Sequence, residues 1–129
     1  MYSSKRYFIT WAYTGAHSFL LIRSPMLYED ADNYSPDDYL TTDIEFYSVF
    51  YMELPDTFHG ISIKLITENK PAIFDRFTYV NNLLTFEITE GGRIFYILAS
   101  GLTIGTNSWT TRNRVSDTSL KHDNILIKI

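Results

Sequence analysis

Apolar and polar residues alternate with a period of two along most of this chain, the pattern of strands that bury one face. Ile44, Phe46, Phe50, Met52 and Leu54 share a parity that Asp43, Glu45 and Glu53 avoid, and Ser48 is the one polar residue on that face. Leu84, Phe86 and Ile88 alternate in the same way with Thr85, Glu87 and Thr89. Four strand-like runs follow one another: Ile61–Thr67, Ile73–Val80, Leu83–Glu90 and Arg93–Ser100. The gaps between them hold Asn69-Lys70-Pro71, Asn81-Asn82 and Gly91-Gly92. Asn and Gly reach the positive φ that tight hairpin turns demand, so the middle of the chain is expected to form an antiparallel meander.

Further strands are expected at Arg6–Tyr13, Ser18–Arg23, Leu102–Ile104 and Ile125–Ile129, with Thr14-Gly15-Ala16 turning a hairpin between the first two. No segment sustains a helical stripe over three turns. The one helix signal is Ser35-Pro36-Asp37-Asp38, where Ser can cap, Pro suits the first helical position and two acids favour the positive helix end. It predicts a short helical turn near 35–41. The expectation is one all-β domain over residues 1–129, an antiparallel meander forming a sandwich or a curved, partly closed barrel.

Composition narrows the chemistry. The 129 residues contain no cysteine, which excludes disulfides, thiolate metal sites and a cysteine nucleophile. The N-terminus lacks a signal-peptide pattern and no apolar stretch approaches membrane-spanning length, so a cytoplasmic protein with no membrane association is expected. His17, His59 and His122 have no zinc-type spacing. Asp30 and Asp32 match the first positions of an EF-hand loop, but Tyr34, Ser35 and Thr41 stand where an acid, a glycine and the bidentate Glu belong. Neither a metal nor any other cofactor is expected. Gly101-Leu102-Thr103-Ile104-Gly105 lacks the Lys-Ser/Thr ending of a phosphate loop and reads as turn or bulge glycines. No arrangement meets the requirements of a named catalytic role, so the chain is not expected to be an enzyme.

Charge layout is more informative. The formal net charge is −4, yet from Ser24 through Ile63 there is no Lys or Arg and there are nine acids. The rest of the chain carries all 11 basic residues against six acids. Five of the ten tyrosines, Tyr28, Tyr34, Tyr39, Tyr47 and Tyr51, also fall in the acidic segment. Tyrosine gives contact area at low entropic cost, and carboxylates steer cationic partners. The connection from Ser24 to Thr42 is longer than ordinary strand connections and is a candidate binding loop, or else a solvated loop that guards a sheet edge. Asp32, Tyr34, Asp37, Asp38, Tyr39, Asp43 and Glu45 are the expected partner contacts. Arg112 and Arg114 beside Trp109, with Lys121 nearby, are too few for a nucleic-acid footprint and are expected to pair with the protein's own acidic loop.

Gly15-Ala16-His17-Ser18-Phe19-Leu20-Leu21-Ile22-Arg23-Ser24, followed by the acidic spacer and Phe58-His59-Gly60-Ile61, resembles stretches of small bacterial immunity proteins that protect cells from polymorphic toxins. The resemblance implies a cytoplasmic, non-enzymatic protein that binds one cognate toxin domain and blocks its active site. The residues suit that role. Many such toxins are nucleases with a cationic cleft, and a carboxylate-rich loop can stand in for phosphate oxygens there. Two alternatives come from other classes: a small-ligand-binding β-barrel lined by aromatics, and a structural subunit that self-associates through a strand edge.

Overall fold

A computed structural model describes residues 1–28 and 35–129, with the side chains of Pro36 and Asp37 outside the description. The chain is all-β. Its strands are β1 (Tyr2–Thr14), β2 (Phe19–Ser24), β3 (Thr41–Tyr47), β4 (Tyr51–Met52), β5 (Thr57–Ile66), β6 (Leu84–Glu90), β7 (Arg93–Ala99), β8 (Gly101–Asn107) and β9 (Asn124–Lys128). All pair antiparallel in one sheet of order β4-β7-β6-β5-β1-β2-β3-β8-β9. Among the described residues, no helix is long and apolar enough to cross a membrane.

The sheet folds over itself. β3 and β6 are separated by three strands in the sheet, yet the rings of Phe46 and Phe86 meet edge to face at 5.2 Å. Period-two alternation puts Leu20, Ile22, Ile44, Phe46, Leu102 and Ile104 on the inner face of one half. They pack against Phe58, Ile63, Phe86, Ile88 and Ile97 of the other. These side chains form one buried core between the halves. Burying each such Phe or Ile contributes about 1.5–3 kcal/mol.

The expected hairpins at Thr14-Gly15-Ala16 and Gly91-Gly92 are present, the second with Gly91 at φ 58°. The short helical turn is present as a 3₁₀ turn over Pro36–Tyr39. One expected strand is not. Ile73–Val80 does not join the sheet, β5 pairs directly with β6, and Ala72–Phe77 forms a second 3₁₀ turn following Pro71. A strand would send Phe74 and Phe77 to opposite faces, because they differ in parity. With three residues per 3₁₀ turn they share a side, where both rings face Tyr51, at 5.1 and 6.4 Å. Asn82 (φ 61°) therefore turns the chain into β6 rather than closing a hairpin.

The alternation from Ile44 to Leu54 also breaks. Ser48 takes φ 50° and ends β3, and Phe50 and Met52 beyond it are exposed. Gly101 and Gly105 lie inside β8 rather than in a turn, and Gly105 adjoins the register shift between β8 and β9.

Candidate functional site

The outer face of β2, β3 and β8 is also buried, and its contents are polar. Arg23 and Asp43 face each other across β2 and β3 and form a bidentate pair, Nε to Oδ1 at 2.7 Å and Nη2 to Oδ2 at 2.9 Å, with neither side chain exposed. Trp11 of β1 covers the guanidinium at 5.1 Å. Asn107 of β8 fixes the next link. The Trp109 main-chain N–H donates to its Oδ1 at 3.0 Å, which orients its Nδ2 toward Asp43 Oδ2 at 2.9 Å and His122 Nδ1 at 3.1 Å. With Asn107 Nδ2 donating, His122 Nδ1 is the acceptor and the ring N–H lies on Nε2. That nitrogen lies 3.2 Å from Glu45 Oε1.

Glu45 Oε1 also accepts from Arg114 at 3.1 Å and from the Tyr47 hydroxyl at 3.2 Å. Burial raises the Tyr47 pKa, and the adjacent Glu45 carboxylate adds to the rise. For Arg114, burial works against the charge, but Glu45 outweighs it and holds the guanidinium above its ordinary value.

These residues come from the strands and from the strap 108–123, which crosses the outer face. The strap is fastened by polar contacts: Arg23 Nη2 donates to the Arg112 carbonyl at 2.7 Å, Arg114 holds Glu45, and His122 lies over Gly105 with Trp109 stacked at 5.1 Å. Asp43, Glu45 and His122 offer metal-donor atoms within 4.8 Å of one another. Both Asp43 oxygens are taken by Arg23 and Asn107, however, and two guanidiniums already balance the two carboxylates. Glu45 Oε2 and His122 Nε2 have no hydrogen-bond partner among the described residues. The contacts of Arg23, Glu45 and Asn107 hold the strap to the sheet.

A second constellation holds the acidic loop. β1 carries two residues, Lys5 and Arg6, opposite Gly60 of β5, which takes φ 85°. Bulges of this kind re-aim side chains, and here the Arg6 main-chain N–H turns to the Ser4 hydroxyl at 3.1 Å. The Arg6 guanidinium reaches both arms of the loop. It donates to Ser24 Oγ (2.9 Å) and the Ser24 carbonyl (3.1 Å) on the outgoing arm. On the returning arm it donates to the Leu40 carbonyl (2.7 Å) and Thr42 Oγ1 (2.9 Å), and lies 3.4 Å from Asp38. Main chain joins the arms as well, from Leu27 N–H to the Asp38 carbonyl at 2.8 Å. Thr41 links this neck to the strap, accepting from Met26 N–H at 3.0 Å and donating to the Trp109 carbonyl at 2.8 Å.

Of the seven expected contact residues, those described are dispersed. Asp32 and Tyr34 lie outside the described residues, as does the side chain of Asp37. Asp38 is mostly buried: it pairs with Arg6 and accepts from Ser35 N–H at 3.1 Å, closing the 3₁₀ turn. Tyr39 is 62% exposed, and Tyr28, on the other arm, 67%. Asp43 and Glu45 are completely buried and face the protein's own arginines, so in this arrangement their carboxylates do not reach the surface. Arg114 pairs with Glu45 on β3 rather than with the acidic loop. Arg6, Arg23, Asn107 and His122 carry these contacts without belonging to the expected set. One signal for them exists: Arg23 interrupts an apolar run, and a glycine inside a strand, Gly105, marks a close approach. Comparison with protein-family models, curated proteins and solved structures found no match for this chain.

Proposed function

We propose that the chain is a protein-binding inhibitor of the immunity type, whose acidic, tyrosine-rich loop fills the cationic cleft of a cognate toxin domain. The observation that supports this most is the Arg6 clamp. It ties both arms of the loop to the sheet while Tyr28 and Tyr39 stand exposed on either side of the neck. Ordering a loop before binding lowers the entropic cost of association, and exposed tyrosines on a fixed neck suit anchoring. Asp38, Asp43 and Glu45 are spent on internal pairs; in this reading the loop's other acids, Glu29, Asp30, Asp32 and Asp37, steer the partner. In this reading the protein acts in the cytoplasm, without a cofactor or nucleic acid.

Affinity capture from cells of the native host tests this, with wild-type bait compared with an Asp32→Lys, Asp37→Lys bait that keeps every described ion pair. The expected result is one stoichiometric partner with a basic domain, bound more weakly at high salt and by the altered bait. A partner held equally by both baits at all salt concentrations would move the interface elsewhere.

A further inference from the structure

The neck of the acidic loop is gripped from both faces of the sheet. Thr41 and Thr42 are consecutive on β3, so their side chains point to opposite faces. On one face Arg6 holds Thr42 Oγ1 and Ser24 Oγ, both at 2.9 Å. On the other, Thr41 is wholly buried and its hydroxyl both accepts and donates. It takes the Met26 N–H at 3.0 Å and gives its proton to the Trp109 carbonyl at 2.8 Å. Pro25 has no N–H, so Met26 offers the first main-chain donor of the outgoing arm. Tyr28 follows two residues later, exposed.

The two grips rest on different supports. Arg6 is carried by β1, in the middle of the sheet. Trp109 belongs to the strap 108–123, and its place depends on how that strap is seated. Its N–H donates to Asn107 Oδ1 at 3.0 Å, and its ring lies 5.1 Å from the imidazole of His122, which sits over Gly105. A continuous series of contacts therefore runs from the His122 seat through Trp109 and Thr41 to Met26. A hydroxyl suits the middle of that series, because it is donor and acceptor at once.

We infer that Thr41 is a positioning residue of the acidic loop, which transmits the seating of the strap to the outgoing arm and so to Tyr28. Its consequence for binding rests on the reading of the loop as the partner surface; the coupling between strap and neck does not.

The test uses the ¹⁵N-labelled full chain without a partner. Thr41→Val is expected to speed exchange of the Met26 amide at least tenfold relative to Phe86 and Ile97, and Thr41→Ser, which keeps the hydroxyl, should restore it. Gly105→Ala unseats His122 and should displace the Met26 amide resonance of the folded protein. In the Thr41→Val background the same substitution should leave that resonance in place, because coupled sites are not additive. Unchanged Met26 exchange in Thr41→Val, no restoration by Thr41→Ser, or equal displacement by Gly105→Ala in both backgrounds overturns the inference. Release of the partner captured by the wild-type bait separates the two claims. Release at least fivefold faster from Thr41→Val supports both. Unchanged release beside an intact coupling keeps Thr41 as a positioning residue and takes the loop out of the binding surface.

Discussion

His122 occupies the place where a side chain on Gly105 would be: a Cβ there would lie 2.5 Å from the imidazole Cγ. Gly105 pairs with Asp43 across β3 and β8, so this glycine sets how deeply the histidine seats in the polar layer. Gly105→Ala is therefore expected to push His122 off Asn107 and destabilise the fold by about 1–3 kcal/mol, the usual range for overpacking. Chemical denaturation measures the loss. The His122 ring resonances should show that the Nδ1 nitrogen no longer accepts a hydrogen bond.

Arg23 and Asp43 lie wholly inside the molecule, so removing one leaves the other charge uncompensated. Arg23→Met alone, or Asp43→Leu alone, is expected to cost about 3–5 kcal/mol. The double variant should recover part of that. Recovery is incomplete because Asn107 loses an acceptor and the Arg112 carbonyl loses a donor. A double-mutant cycle in urea gives the coupling, and strictly additive losses would show that the pair does not act as a unit.

Glu90 gives the stability a specific pH dependence. Its carboxylate accepts the His59 main-chain N–H beside the Gly60 bulge and pairs with Arg93, and these contacts, the first the larger, hold its pKa below the ordinary 4.5. A depressed carboxylate contributes stability that is present above its unfolded pKa and lost as the pH falls through the folded value. Wild type should therefore be more stable than Glu90→Gln at pH 7, and the gap should close between about pH 5 and the folded pKa below it. Parallel unfolding curves for the two proteins at pH 7 and pH 3 measure it.

Arg6 is expected to govern the loop neck without governing the fold. Arg6→Gln removes the guanidinium that spans Ser24, Leu40, Thr42 and Asp38 but leaves the inner core untouched. Amide exchange of Leu27 and Asp38 should speed up at least tenfold while that of Ile44, Phe86 and Ile97 is unchanged. Uniform acceleration across the sheet would make Arg6 a general stabiliser instead.

The inner half of the fold was legible because parity alone determines it: Ile44 and Phe46, or Phe86 and Ile88, have no other way to reach a common core. The outer half was not. Period two says that Asp43 and Glu45 point away from the core, and a charged outer face normally meets water. Here the strap 108–123 covers it, and nothing local in Asn107–Asp123 announces that long-range contact. Ile73–Val80 departs from its pattern for a related reason. Its β-branched and aromatic residues suit a strand, and only the position of Tyr51 decides that Phe74 and Phe77 belong on one side. The acidic character of residues 24–63 was plain in the sequence, but which acids are spent internally depended on Arg6, Arg23 and Arg114, all outside that segment.

The most direct measurement is amide hydrogen exchange of the chain with and without the captured partner. An inhibitor that binds through its clamped loop predicts strong added protection across residues 25–41, carried by Tyr28 and Tyr39 on the two arms of the neck. Protection confined to the strap 108–123 or to the second 3₁₀ turn at Ala72–Phe77, with residues 25–41 unchanged, would contradict it.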